Sequence, residues 1–338
     1  MKNWQLIYHL IVTFIFVNTI EAQNLSLKDI TNGVYSPHSI YGVNPMNDGE
    51  SYSQLSADHK QILKYSFKTG KQMEVVFDVS TARGDKKLNR IDGYIFSPDE
   101  KKILIQTSTK PIYRRSFTAV YYIYDVDSKK FTELSSSGPQ QVPTFSPDGT
   151  MIAFVRKNNI YLVKLLYGNA ESQISKDGKR NEVINGIPDW VNEEEFSTNR
   201  SLEFSADSKM LAWVRYDESN VPVYDMQMWK GLYPEYNNND SYPGVYSYKY
   251  PVAGVCNSVV SVHTFDIQSR VIRNINLPIG KEDYIPRIRF TNDPNKLAVI
   301  CLNRHQNKMD VYMANPRSTE SKLILREQTE KYIREGAY

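Results

Sequence analysis

The chain has 338 residues, and its 41 basic and 38 acidic side chains leave a formal net charge of only +3. This balance excludes a strongly basic face for nucleic acid or for a membrane surface, so no nucleic-acid partner is predicted. The 24 tyrosines and 13 phenylalanines favour β-sheet over helix.

The N-terminus has the pattern of a secretory signal peptide. Lys2 supplies a positive charge, residues 6–17 are mainly apolar, and Ala22 ends a plausible cleavage site. About twelve apolar residues are fewer than the roughly 20 that span a bilayer. We therefore predict a signal peptide over residues 1–22 and a protein that is periplasmic or secreted. An uncleaved N-terminal membrane anchor is the alternative, and residues 23–50 are predicted to be an N-terminal extension.

Copies of a short phrase divide the rest of the chain into repeats. Each copy has an apolar residue, then Ser or Thr, then a turn residue, then Asp, and the copies begin at residues 55, 96, 145, 204 and 290. In the third copy, Pro147 presets φ, Asp148 can bond its own backbone and Gly149 tolerates a positive φ. An alternating apolar segment follows each copy. These segments predict strands over Gln61–Tyr65, Lys102–Thr107, Met151–Arg156, Met210–Arg215 and Lys296–Leu302.

A second strand signature follows in most repeats. It predicts strands over Tyr121–Asp125, Asn159–Val163, His263–Ile267 and Asp310–Met313. The spacing of the repeats begins near the roughly 40 to 50 residues of a propeller blade and then grows. We therefore predict an all-β fold, a β-propeller of four-stranded antiparallel blades over residues 51–338. Its longest insertion, Pro222–Pro251, is predicted to be a projecting loop.

Motifs for catalysis are missing from the sequence. No Gly-x-Ser-x-Gly nucleophile elbow occurs, and neither does a glycine-rich phosphate loop. The histidines are scattered without metal-ligand spacing: His9, His38, His59, His263 and His305. No metal site and no cofactor are predicted. Cys256 and Cys301 are either one disulfide or two separate buried thiols, which depends on their distance in the fold.

The acidic run Glu193, Glu194 and Glu195 is the strongest candidate for a binding site. Asp189 after Pro188 is a good N-cap, which predicts a short helix through the run. Carboxylates on one helical turn can converge on a cation. The alternative is a solvated acidic helix face. Two flanking aromatic residues are predicted to anchor the helix in the core, rather than to contact substrate: Trp190 and Phe196.

The segment Asn185–Phe196 closely resembles the glutamate motif of the dipeptidyl peptidase IV family. In that family a short helix inserted into an N-terminal propeller presents two glutamates to the amino end of the substrate. Tyr113–Ala119 is similar to the family segment in which an arginine contacts the substrate carbonyl. Further segments follow the family's order: residues 211–219, 230–234, 249–254 and 302–307.

The resemblance implies a role for several residues. Glu194 and Glu195 match the amine-binding glutamates, and Arg114 matches the arginine, for which a structural salt bridge is the alternative. The resemblance assigns no ligand contact to Glu193 and no role to Arg115. The chain would hold the first five to six blades of an eight-bladed ring. The family's Ser, Asp and His triad lies in a C-terminal α/β-hydrolase domain that is absent here, and homodimers are possible.

The resulting function hypothesis is a substrate-gating propeller of a serine-type dipeptidyl peptidase. It would bind a peptide with a free N-terminus, and the expected C-terminal hydrolase domain would release N-terminal dipeptides. By itself the chain would not be catalytic. The alternative is a non-catalytic exported propeller that binds peptides or proteins. A propeller glycosidase is disfavoured, because adjacent glutamates do not straddle a sugar at the required separation.

Overall fold

The computed structural model describes residues 25–37, 39–84, 86–229 and 242–334. The predicted signal peptide, residues 1–22, lies outside them. The chain divides into two units, residues 1–43 and 44–338. The described part of the first unit contains helix α1 (Leu27–Thr31), capped by the Ser26 hydroxyl. None of the helices in the described ranges has the length and apolar character of a membrane span.

The second unit consists of consecutive antiparallel sheets, which we number as blades 1 to 5 in chain order. Blade 1 contains β1 (Asn44–Pro45), β2 (Ser51–Leu55), β3 (Gln61–Ser66) and β4 (Gln72–Asp78). Blade 2 contains β5 (Gly93–Phe96), β6 (Lys102–Pro111), β7 (Phe117–Asp125) and β8 (Phe131–Glu133). Blade 3 contains β9 (Gln141–Phe145), β10 (Met151–Arg156), β11 (Asn159–Lys164) and β12 (Ala170–Gln173), with a short 3-10 helix at Leu165–Tyr167.

Blade 4 contains β13 (Val183–Asn185), β14 (Leu202–Phe204), β15 (Met210–Asp217), β18 (Val259–Asp266) and β19 (Ile272–Asn274). Blade 5 contains β20 (Tyr284–Phe290), β21 (Leu297–Leu302), β22 (Lys308–Ala314) and β23 (Ser321–Gln328). Helix α2 (Trp190–Phe196) lies between β13 and β14, and a separate ribbon is formed by β16 (Val223–Met228) and β17 (Gly244–Lys249). The sheets confirm an all-β, incomplete propeller of four-stranded antiparallel blades. A total of eight blades stays a prediction.

The sheet of blade 1 begins earlier than the predicted propeller boundary at residue 51. Asn44 pairs with Ser53, so β1 falls within the segment 23–50 that was assigned to an extension. A tight turn makes this pairing possible, because the Asp48 carboxylate accepts hydrogen bonds from the backbone and hydroxyl of Ser51 and Gly49 has a φ of 68°.

The repeated phrase forms the same turn in the first four repeats. The Ser hydroxyl donates to the Asp carboxylate two residues later, at 2.5–2.7 Å. It also accepts the N–H that lies five residues later, at 2.9 Å. The residue after Asp has a positive φ in each of these turns: His59, Glu100, Gly149 and Ser208. The turn therefore depends on Ser and Asp more than on the Pro and Gly of the third copy.

Ser146→Ala tests this role of the serine. Ser146 is fully buried, and its loss leaves the N–H of Met151 without its hydrogen-bond acceptor. We expect the free energy of unfolding to fall by about 1–2 kcal/mol in urea denaturation. Ser128→Ala is the control, since the Ser128 hydroxyl donates to the Asp125 carboxylate in an exposed turn. This variant should lower the free energy of unfolding by less than about 0.5 kcal/mol. Equal losses would contradict the assignment.

The hydrophobic core lies between neighbouring blades. One cluster joins blades 1 and 2, a second joins blades 2 and 3, and the largest joins blades 3, 4 and 5. In the largest cluster, Trp213 of β15 is 1% exposed and its indole N–H donates to the Asn185 side chain at 2.9 Å. Because blade 4 is packed on both sides, it is a rigid base for the segment inserted into it.

The prediction that Pro222–Pro251 forms a loop is wrong for the two ends of this segment, which form strands. Strands β16 and β17 pair from Val223 with Lys249 to Met228 with Gly244. Tyrosines from both sides favour the pairing, since aromatic side chains favour strands and the ring of Tyr224 in β16 lies 5.4 Å from that of Tyr250, just beyond β17. The middle of the insertion, residues 230–241, lies outside the described residues.

Candidate functional site

The first strand of blade 4 is split, and the site is built on the segment between its halves. Strands β13 and β14 both pair with β15. The segment is pinched at its base, where the N–H of Ser201 donates to the carbonyl of Gly186 at 2.9 Å. Gly186 has a φ of 78°, and a Cβ there would lie 3.2 Å from the side chains of Ile160 and Leu202. Glycine is therefore required at this exit from the sheet.

Helix α2 begins as predicted, with Asp189 as its N-cap. The Asp189 carboxylate accepts the N–H of Asn192 at 2.9 Å and the hydroxyl of Ser258 at 2.5 Å. Asp189 is 4% exposed, and burial raises the pKa of its carboxyl. Ser197, with a φ of 51°, ends the helix. The bond to Ser258 fixes the start of α2 to the chain that enters β18.

The two aromatic residues at the ends of α2 both pack against protein. Phe196 is 2% exposed and lies in a cluster with Tyr284 and Leu302 of blade 5. Trp190 is half-buried, and its ring lies 4.1 Å from that of Tyr250, next to β17. The predicted anchoring role is confirmed for Phe196, whereas Trp190 packs against the ribbon rather than in the core between blades.

The connection between β6 and β7 in blade 2 comes to lie against α2; residues 112–116 of this connection are called the Arg114 loop. The Glu193 carboxylate oxygen Oε1 accepts the N–H of Arg115 at 2.7 Å and that of Ser116 at 2.8 Å. Glu193 is fully buried. Asn199, just beyond α2, donates to the carbonyl of Arg115 at 3.1 Å. Blades 2 and 4 therefore meet at the helix.

The structure brings Arg114 and Glu194 together. Arg114 Nε lies 2.8 Å from Glu194 Oε2, although the two residues are 80 positions apart in the chain. The Arg114 side chain is 71% exposed and that of Glu194 is 18% exposed. Glu195 follows on the same helix and is exposed to solvent. Glu194 thus pairs with a guanidinium from blade 2, and an exposed glutamate follows it on the helix.

Two acidic residues of this region have no individual role assigned from the sequence. The family resemblance assigned no contact to Glu193, yet its carboxylate accepts two hydrogen bonds from the Arg114 loop. Glu218 follows β15 and is 6% exposed. Burial, and next the negative charge of Asp189, raise the pKa of Glu218 to about 8, against the opposite effects of Lys249 and Arg180. Neither residue has a sequence signal, because their roles depend on which strand ends meet in the fold.

A cavity of about 440 Å³ adjoins the C-terminal end of α2. Ser197, Asn199 and Arg200 line one side of it, and Arg287 and Arg289 of β20 line another. A guanidinium nitrogen of Arg287 donates to the carbonyl of Phe196. The cavity leaves space for a ligand beside the helix, with several guanidinium groups in its lining.

The described residues include neither a metal-ligand cluster nor a disulfide. The described ranges contain no cluster of three or more His, Cys, Asp or Glu side chains that could hold a metal ion. Cys256 and Cys301 are free thiols, and Cys301 is buried in blade 5. The groups that α2 and the Arg114 loop offer, those of Glu194, Glu195 and Arg114, are suited to charge pairing and hydrogen bonding.

Comparison with known proteins gives consistent matches. Residues 97–337 match the family model described as "Dipeptidyl peptidase IV (DPP IV) N-terminal region". The chain is 34% identical over 251 residues to prolyl endopeptidase FAP of Homo sapiens, covering 74% of this chain and 30% of that protein. It is 31% identical over 322 residues to the probable dipeptidyl-aminopeptidase B of Emericella nidulans, covering 90% of this chain and 35% of that protein.

The same similarity extends to a solved structure. The crystal structure of Porphyromonas gingivalis dipeptidyl peptidase 4 matches with a TM-score of 0.84 and 40% sequence identity. The match covers 91% of this chain and 43% of that one. The chain thus spans less than half the length of the relatives that it matches.

Proposed function

We propose, since the chain belongs to the dipeptidyl peptidase IV family, that it binds the free amino end of a peptide at helix α2. Glu194 and Glu195 would bind the ammonium group, and Arg114 would bind the carbonyl oxygen that follows it. The observation that carries this proposal is the contact of 2.8 Å between Arg114 and Glu194, which joins the two halves of the site.

The charges and donors of the site suit this ligand. An ammonium group has three N–H donors and needs carboxylate acceptors, which Glu194 and Glu195 supply. A guanidinium presents several N–H donors to a carbonyl oxygen without needing to exchange protons. Because Glu194 Oε2 already accepts from Arg114, its other oxygen is the one that we assign to the ligand.

The same geometry would make the propeller a ruler for dipeptide release. Fixing the ammonium group at a constant distance from a nucleophile selects one peptide bond for cleavage. A C-terminal α/β-hydrolase domain in the complete gene product would supply the serine, the base and the oxyanion hole. The chain's own part would be selection of the substrate. We propose that the protein is exported, and homodimers stay a prediction.

A pair of short peptides tests the proposal. Ala-Pro-Ala carries a free amino end, and N-acetyl-Ala-Pro-Ala lacks the positive charge but keeps the rest. We expect the chain to bind the free peptide at least tenfold more tightly, because the acetyl group removes the charge-assisted hydrogen bonds to the glutamates. Ligand-observed NMR titration can measure such weak affinities. Equal dissociation constants for the two peptides would refute the proposed function.

A further inference from the structure

We propose that Glu193 is the positioning residue of the site. It would hold the Arg114 loop against α2, so that the guanidinium of Arg114 stands at Glu194, without touching the ligand itself. This inference rests on the proposed function, because the benefit of positioning Arg114 is measured by ligand binding. The contacts of Glu193 itself are independent of that function.

The helix directs the three consecutive glutamates to different surroundings. Because successive residues of an α-helix are rotated by about 100°, one side of α2 can bury Glu193 while Glu194 and Glu195 leave the helix on its more open sides. Glu193 is fully buried, whereas the side chain of Glu194 is 18% exposed and Glu195 lies at the surface. A solvent-borne peptide can therefore reach Glu194 and Glu195 but not Glu193.

The hydrogen bonds of Glu193 go to the backbone of the Arg114 loop. Its Oε1 accepts two consecutive N–H groups, those of Arg115 and Ser116. Two donors from adjacent residues fix the direction of the backbone and not only its position. Arg115 and Ser116 directly follow Arg114, whose side chain is 71% exposed and extends toward Glu194. The exposed side chain of Arg114 is thus held at its tip by the ion pair with Glu194 and at its base by a loop that Glu193 binds.

Further contacts bracket the loop from the other side. Asn199 donates to the carbonyl of Arg115, and the guanidinium of Arg115 donates to the hydroxyl of Ser197 at 3.0 Å. The two arginines therefore have different roles. The side chain of Arg115 binds the loop to the end of α2, whereas that of Arg114 faces Glu194. This gives Arg115 a structural role that the resemblance did not assign.

The second carboxylate oxygen of Glu193 takes no part in these hydrogen bonds. Oε2 is buried and has no hydrogen-bond partner within the described residues. An amide in place of the carboxylate would keep an oxygen at Oε1 that accepts both N–H groups. We therefore expect Glu193→Gln to preserve the loop, and Glu193→Ala to release it.

A double-mutant cycle tests whether Glu193 acts through Arg114. We expect Arg114→Ala and Glu193→Ala each to weaken binding of Ala-Pro-Ala by about tenfold, the usual size of one lost charged hydrogen bond. The double variant should lose less than about twofold beyond either single variant, because one interaction is removed in all three. Glu193→Gln should stay within about threefold of the parent chain. The proposal would be overturned if the losses of affinity in the two single variants multiplied in the double variant. It would also be overturned if a folded Glu193→Ala chain bound Ala-Pro-Ala with unchanged affinity.

Hydrogen exchange separates this proposal from the proposed function. The amides of Arg115 and Ser116 should be protected in the parent chain and in Glu193→Gln, and should exchange freely in Glu193→Ala, with no peptide present. If free and acetylated peptides bind equally but this protection is lost as expected, the proposed function fails while the contact stands. If protection is unchanged in Glu193→Ala, the positioning role fails whatever the peptide does.

Two further variants control for folding. Asp310→Ala removes a buried carboxylate that pairs with Arg326 in blade 5, so it should lower stability but leave the affinity for Ala-Pro-Ala unchanged. If Glu193→Ala does not fold, Asn199→Ala removes another of the hydrogen bonds that hold the loop. We expect that variant to weaken binding by about threefold, and by no more in the Arg114→Ala background. An additive loss there would also refute the coupling.

Discussion

Replacing Glu194 and Glu195 together by alanine should weaken binding of Ala-Pro-Ala by about 100-fold or more, because each lost charge-assisted hydrogen bond is worth roughly tenfold or more. Each single replacement should give a smaller loss. Binding of the N-acetylated peptide should change by less than about twofold, since it carries no ammonium group for the carboxylates. Titration of the two peptides against the parent chain and the three variants measures all of these ratios.

The control for this prediction removes the same charge elsewhere. Glu74 on β4 and Glu320 before β23 are both exposed and lie outside α2 and the Arg114 loop. Glu74→Ala/Glu320→Ala therefore changes the net charge by the same amount without touching the site. Its affinity for Ala-Pro-Ala should equal that of the parent chain. If it falls as far as in the Glu194/Glu195 double variant, the effect is general electrostatics and not recognition of the amino end.

The strands and the start of α2 could be predicted from the sequence because their signals are local. Strand β10 has the predicted bounds Met151–Arg156, since a tight turn precedes it and its first five residues are apolar. Asp189 caps α2 as expected because the N-cap bond reaches only three residues along the chain. The ribbon of β16 and β17 was missed, since its pairing depends on residues on both sides of a long insertion.

The roles within the glutamate run could not be predicted from the run itself. Glu193, Glu194 and Glu195 have the same chemistry, and only the packing of α2 decides which one is buried. That packing depends on the contact of Phe196 with blade 5 and on the Arg114 loop from blade 2. The placement of Arg114 in the same site as Glu194 came from family resemblance, and their ion pair was not predicted, because nothing local relates two residues that lie 80 positions apart.

Glu218→Gln should make the protein more stable at neutral pH, with a gain of roughly 3 kcal/mol at pH 7. Burial beside Asp189 raises the pKa of Glu218 from 4.5 to about 8 in the folded chain. Between these values the folded chain keeps a proton that the unfolded chain releases, so the stability of the parent falls as the pH rises from 4.5 toward 8. Glutamine cannot ionise, and its amide oxygen can still accept the N–H of Asn181 that the carboxylate accepts.

Urea unfolding of both chains at several pH values checks this sign. Near pH 4.5 the two should be about equally stable, and the advantage of the variant should grow up to about pH 8 and then level off. Asp310→Asn is the matched opposite case, since the Arg326 guanidinium lowers the pKa of Asp310. That change should destabilise the chain at neutral pH, and its cost should shrink as the pH falls through the lowered pKa. If the stability of Glu218→Gln follows the same pH profile as that of the parent, Glu218 is not the group that keeps the proton. The proton would then belong to another carboxyl whose pKa burial raises, that of Asp189 or Glu203.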